Sequence, residues 1–236
     1  MIPLFSDRRL SSFPFVTVAL IATNLAVFWF QLTGEGSVAG SVYRYGLIPA
    51  LLFDGGSVAV PAAGAAVPPE LAVLTGMFMH GGVLHLVMNM LYLWVFGRDV
   101  EDDFGHIRFL AFYLLAGILA SLAFAYTYPQ TAIPLVGASG AIAGILGVYF
   151  LRFPTARVRC LLIVIFFVRL VDMPAFLLLG IWFFIQIGAS MTEIVGAEGT
   201  GTGGVAWISH VAGFVVGILW TLLLLRHRYH ARRREI

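Results

Sequence analysis

Long runs without a formally charged residue alternate with short clusters of arginine and acid along this chain of 236 residues. A helix needs roughly 20 consecutive apolar residues to cross the hydrocarbon of a bilayer. The first run covers residues 10–34, preceded by Arg8 and Arg9 and closed by Glu35. Residues 71–97 hold a second span, and the polar stretch 98–108 follows, with Asp99, Glu101, Asp102 and Asp103. The run 109–151 is about twice as long as one span requires, and the turn-forming segment 126–134 divides it into spans three and four. Residues 173–192 and 205–225 supply the fifth and sixth. A cleaved signal peptide is the competing reading of the first run; its length and the five spans behind it favour a retained anchor.

Two segments fit neither pattern. Residues 35–70 are too apolar for a solvated linker and too broken by glycine and proline for a spanning helix, which predicts a long first loop partly resting in the membrane. Residues 160–168 are apolar but too short to span, and are expected to lie buried or at the interface. The prediction is an all-α membrane protein of six transmembrane helices. It forms a single membrane domain over residues 1–236, with a short N-terminal tail and a basic C-terminal tail.

Composition agrees with that pattern. The chain is 60% hydrophobic and 11% charged, against roughly a quarter charged in soluble domains, and its mean hydropathy is +0.95. The chain has 14 arginines and no lysine, and the arginines are spread between apolar segments, which argues against a nucleic-acid partner. The single cysteine, Cys160, has no internal partner for a disulfide. By the positive-inside rule, Arg8, Arg9, Arg98, Arg108, Arg152, Arg157, Arg159 and the five tail arginines place both termini in the cytoplasm. Only Arg44 then falls clearly outside, and Arg169 is left ambiguous. The expected location is a plasma membrane of the bacterial inner-membrane kind.

Polar residues inside the runs are costly and tend to mark function or mutual pairing. With this orientation Ser139 lies near the outer end of span four, His210 near the outer end of span six, and His85 with Asn89 in the outer half of span two. Gly137, Gly140, Gly144 and Gly147 recur around Ser139 at helical spacing, and Gly213 and Gly217 follow His210 on one face. Two such small-residue faces can approach closely, which would bring His210 to Ser139. A serine hydroxyl beside an imidazole is the minimum for an activated nucleophile. Side-chain donors from His85 and Asn89, with the Ser139 N–H, are placed to hold an oxyanion. Taken singly, each of these residues reads as helix packing or a helix-tying hydrogen bond; together they favour chemistry. All twelve acids lie in loops, tails or interfacial segments, so a serine–histidine dyad is expected rather than a triad. A zinc site is the competing reading. The segment from His80 to His85 is not H-E-x-x-H, and its five-residue spacing separates the rings, so no metal and no cofactor are expected. His80 is read as a loop anchor, and His106, His227 and His230 as solvated.

These motifs resemble the rhomboid family of intramembrane serine proteases. The resemblance rests on Gly137-Ala138-Ser139-Gly140, on His80, His85 and Asn89, on His210 with Gly213 and Gly217, and on the stretch from Gly97 to His106. It implies Ser139 as nucleophile, His210 as general base and acid, His85 and Asn89 in the oxyanion hole, and transmembrane proteins as substrates. Two positions depart from some members. Ala143 stands where they carry a tyrosine that stacks on the catalytic histidine, and Leu71-Ala72 where they carry Trp-Arg. A non-catalytic relative that binds or escorts membrane proteins is the alternative. A small transporter lacks support, because no inverted repeat or pair of broken spans is evident.

Overall fold

A computed structural model describes residues 1–34, 37–53, 64–164, 167–196 and 206–233. The chain opens with strand β1 (Ile2–Ser6), followed by helices α1 (Phe15–Thr33), α2 (Val38–Tyr45), α3 (Pro49–Phe53) and α4 (Pro69–Thr75). After the 3-10 turn Gly76–Phe78 come α5 (Val83–Tyr92), a π turn (Leu93–Gly97), α6 (Arg98–Phe104), α7 (His106–Thr127) and α8 (Ser139–Arg152). Strands β2 (Arg157–Val164) and β3 (Phe167–Pro174) then lead into α9 (Ala175–Gly196) and α10 (Trp207–Arg233).

Among the described residues, three segments are long and apolar enough to cross a membrane: Phe15–Thr33, His106–Thr127 and Trp207–Leu224. The pair Pro69–Phe78 and Val83–Phe104, bent by 78°, makes a fourth. Ser139–Arg152 and Ala175–Met191 are apolar but shorter. Residues 126–138 are largely non-helical, so α8 begins at Ser139 instead of running through the whole second half of the apolar stretch.

The expectation of an all-α chain is corrected at one end of the molecule. Residues 160–164 and 167–168 belong to the antiparallel strands β2 and β3, and β1 joins them to give a three-stranded sheet in the order β1-β2-β3. The reason is visible in the residues: Val158, Leu161, Leu162, Ile163, Val168 and Val171 are β-branched or apolar strand formers, too few for a span but enough for a ladder. Arg159 and Asp172 face each other across it with a bidentate pair at 2.8 and 2.9 Å, and Arg159 holds the Asp172 carboxyl below the usual range. Arg169, ambiguous by sequence, sits in this hairpin opposite Leu162.

The acidic stretch ties the same end together. Helix α1 starts after Pro14, which offers no side-chain cap, so its first N–H groups need acceptors from elsewhere. Glu101 supplies them. Its carboxylate accepts from the Val16 and Thr17 N–H groups at 2.8 and 2.7 Å, from the Thr17 hydroxyl at 2.7 Å, and lies 2.6 Å from His106 Nδ1. His106 is thus paired as well as partly exposed, while the side chains of His227 and His230 lie outside the described residues. Asp99 accepts from the Ser6 and Tyr149 hydroxyls at 2.7 and 2.9 Å. Asp102 caps Ser11 and Ser12, and Asp103 takes a bidentate contact from Arg152. The polar stretch therefore works as a clasp between β1, α1 and α8. Glu101→Ala should lower stability by about 1–3 kcal/mol, the cost of leaving buried donors unpaired. Thermal unfolding in detergent checks this, and an unchanged midpoint would show that water caps α1 equally well.

At the opposite end, the first loop is built into the protein where it is described. Leu47, Ile48 and Ala50 are buried, and Leu47 pairs with Leu135 as a two-residue bridge through hydrogen bonds of 2.7 and 3.1 Å. The Ala50 N–H donates to the Thr131 carbonyl, and Gly137 N–H to the Gly76 carbonyl. This loop thereby holds the segment that leads into Ser139. The expectation that it rests partly in the membrane concerns residues 54–63 too, which lie outside the described residues.

Candidate active site

The turn at Gly137 fixes where α8 begins. Gly137 adopts φ +117°, a conformation that side chains rarely accept, and a Cβ there would fall 2.7 Å from His85 Nε2 and 3.5 Å from Asn89 Nδ2. Gly137 is therefore not part of the helical glycine face that its spacing predicted; it precedes the helix and makes room for two side chains of α5. Ser139 follows at the first position of α8, where the leading N–H groups have no intrahelical acceptor and the helix dipole is positive.

Helix α10 brings the imidazole. A Cβ on Gly213 would strike the Gly140 carbonyl oxygen, one on Gly217 the Gly144 carbonyl oxygen, and one on Gly147 the Phe214 carbonyl oxygen. The backbones of α8 and α10 are thus in direct contact, as small-residue faces permit. On the other side of α8, Ala120 and Ala116 of α7 lie 2.8 and 2.7 Å from where Cβ atoms on Gly140 and Gly144 would sit. One turn before Gly213, His210 Nε2 lies 2.8 Å from Ser139 Oγ.

A third side chain completes the line. His210 Nδ1 is 2.8 Å from Gln186 Oε1 on α9. An amide oxygen only accepts, so Nδ1 carries the proton and donates; Nε2 of the neutral ring is then the lone-pair site that accepts from the Ser139 hydroxyl. Trp182, one turn before Gln186, lies with its ring centroid 6.0 Å from that of His210 at an interplanar angle of 32°. Trp207 approaches edge-on at 6.2 Å. The aromatic wall beside the histidine thus comes from α9 and α10, at a site where Ala143 offers none.

His85 and Asn89 occupy one face of α5. The Gly81 N–H donates to His85 Nδ1 at 3.4 Å, which leaves the proton of a neutral ring on Nε2, the atom closest to Gly137. Asn89 is buried, and its Nδ2 has no hydrogen-bond partner. His80 is fully buried; its N–H donates to Gln31 Oε1 at 2.9 Å and its carbonyl accepts from Gln31 Nε2 at 3.0 Å. Its ring meets that of His85 edge to face at 5.1 Å, so it braces the segment that carries His85. Among the described residues no three His, Cys, Asp or Glu side chains converge as a metal site.

Ser139, His210, His85, Asn89 and Gln186 all line one cavity of about 820 Å³. Its remaining wall is largely apolar, with Leu84 and Met88 from α5, Ile142 from α8 and Trp182 from α9 among its residues.

The fold and this site define a polytopic membrane protein with a serine–histidine pair lining a cavity between helices. Residues 70–227 match the family model of the Rhomboid domain; the chain belongs to the rhomboid family. It is 45% identical over 75 residues to the rhomboid protease GluP of Bacillus subtilis, covering 32% of this chain and 14% of that protein. Against the mitochondrial rhomboid protein 1 of Saccharomyces cerevisiae it is 36% identical over 97 residues, or 39% and 28% of the two chains. The chloroplastic rhomboid-like protein 11 of Arabidopsis thaliana is 30% identical over 162 residues, covering 66% and 53%. The matched stretches thus span from about a seventh to about half of these relatives' own lengths.

Proposed function

We propose that this protein is an intramembrane serine endopeptidase that cleaves transmembrane proteins by a Ser139–His210 dyad. The observation that carries the reading is the 2.8 Å approach of Ser139 Oγ to the lone-pair nitrogen of His210, at the mouth of a helix N-terminus and inside a cavity. His210 takes the hydroxyl proton as Ser139 attacks the scissile carbonyl, then returns it to the leaving amine; water repeats the cycle on the acyl-enzyme. The developing oxyanion meets the Ser139 N–H, His85 Nε2–H and Asn89 Nδ2–H. An unpaired buried amide donor costs free energy, and a substrate oxygen would relieve it. The largely apolar wall suits a hydrophobic segment whose backbone has been drawn out of helical form.

The membrane arrangement follows from the same site. Read with α8 and α9 as the fourth and fifth crossings, the chain passes six times, leaving the end where β1, α6, β2 and β3 meet along α1, α7 and α9 and returning to it along α5, α8 and α10. That end carries Arg8, Arg9, Arg98, Arg152, Arg157, Arg159 and Arg169, which by the positive-inside rule supports a cytoplasmic position for it and for both termini. Ser139 then faces the opposite side, and substrate is cut near the outer face of a bacterial-type inner membrane.

Purified protein in lipid vesicles with a single-span model substrate tests the reading. Cleavage, together with covalent capture of Ser139 by a fluorophosphonate, is expected. A folded protein that does neither would leave the escort function instead. Asn89→Ala tests the oxyanion role. The folded variant should lose about 10²–10³ in turnover at saturating substrate, with little change in substrate binding. A normal turnover number would remove Asn89 from the mechanism while leaving the dyad in place.

A further inference from the structure

We infer that Gln186 is a positioning residue for His210, an uncharged third member that fixes the ring's tautomer and orientation. The inference rests on the serine-protease reading and adds to it a group from the fifth span. Three observations carry it. Gln186 is 4% exposed in the middle of a helix whose neighbouring positions are otherwise apolar, so an amide here needs a reason. Its Oε1 lies 2.8 Å from His210 Nδ1, on the far side of the ring from Ser139. Trp182, four residues earlier on the same face of α9, lies beside the same imidazole. Glutamine and tryptophan together thus grip His210 from one helix, by an in-plane hydrogen bond and by its ring.

The choice of amide over carboxylate has a chemical consequence. When His210 takes the Ser139 proton it becomes an imidazolium, and Nδ1–H continues to donate to Gln186 Oε1. A neutral oxygen orients the ring and stabilises that cation through its dipole, without a buried negative charge that apolar surroundings would penalise at rest. The tautomer is held at much lower desolvation cost. No acid approaches His210 among the described residues, so the amide is the orienting group that the dyad has.

Two variants separate positioning from packing. Gln186→Leu keeps the volume and removes the acceptor; it should lose about 10–100-fold in kcat, the worth of a hydrogen bond to a charged group, with KM nearly unchanged. Gln186→Glu restores an acceptor and adds charge. It should retain more turnover than the leucine variant and move the acid limb of the kcat–pH profile upward, because a carboxylate favours the protonated ring. Nitrogen-15 spectra of the histidine rings in detergent give a readout that needs no catalysis: wild type should show His210 protonated at Nδ1, and Gln186→Leu a mixture of tautomers or the Nε2–H form. A Gln186→Leu protein with wild-type kcat and an unaltered His210 tautomer overturns the inference. Loss of catalysis in wild type itself, with the Nδ1–H tautomer present, would instead remove the protease reading and leave the positioning contact standing.

Discussion

Ser139→Ala and His210→Ala should each reduce turnover by about 10⁴-fold or more, and the double variant should be no worse than either single one. The serine hydroxyl is a poor nucleophile until a base removes its proton, and His210 Nε2 lies 2.8 Å from it. Removing either partner disables the same step, so the losses cannot add. Both variants should remain folded, since Ser139 contributes a small side chain at the first position of α8 and the contact of α8 with α10 is made by glycine backbones, not by the imidazole. Turnover of a single-span substrate in vesicles, with the folded fraction measured separately, decides the matter. Losses that multiply in the double variant would mean that the two residues act in different steps, and activity in either single variant would end the dyad mechanism.

The parts of this protein that could be read from the sequence are those whose signal is local. Charge-free runs located the helices, because a bilayer leaves little room for charge. Ser139, His210, His85 and Asn89 stood out because each is polar where its neighbours are not. By that criterion Gln186 was equally visible, in the charge-free run of the fifth span and four residues after Trp182. The familiar orienting partner of a catalytic histidine is a carboxylate, whereas the group beside His210 Nδ1 is an amide. Other features were beyond sequence reasoning. The joining of β1 to β2 connects residues more than 150 positions apart, and the capping of α1 by Glu101 spans about 85; no periodicity encodes such pairings. Gly137 was assigned to a helical face by its spacing alone, although its positive φ places it in the turn before the helix.

The acidic stretch and the end that holds Ser139 are anchored by different means. Each of Asp99, Glu101, Asp102 and Asp103 has its own acceptor duty at the arginine-rich end, which fixes α1, α6 and α8 against one another there. The opposite end is held by backbone bridges from the first loop and by the turn at Gly137. Between these two anchored ends, the relative height of Ser139 and His210 is set by how closely α8 and α10 pack.

That dependence makes Gly217→Val the most informative packing variant. Gly217 lies two turns along α10 from His210, does not line the cavity, and touches no group assigned a chemical role. A Cβ there would run into the Gly144 carbonyl, with the Val148 N–H at 2.9 Å. These are backbone atoms in the middle of a helix, which cannot swing aside as the end of a side chain would. Overpacking of a core typically costs about 1–3 kcal/mol, and a clash with backbone places this substitution at or above the top of that range. The helices must part, and His210 must retreat from Ser139 with them. Gly217→Val is therefore expected to lower the thermal midpoint and to cut turnover further than the loss of folded protein explains. Gly188→Val is the control, because a Cβ at Gly188 would meet nothing within 4 Å; it should leave both nearly unchanged. If Gly217→Val keeps a wild-type midpoint and rate, α8 and α10 are not in backbone contact, and the dyad must be held by something other than the glycine faces.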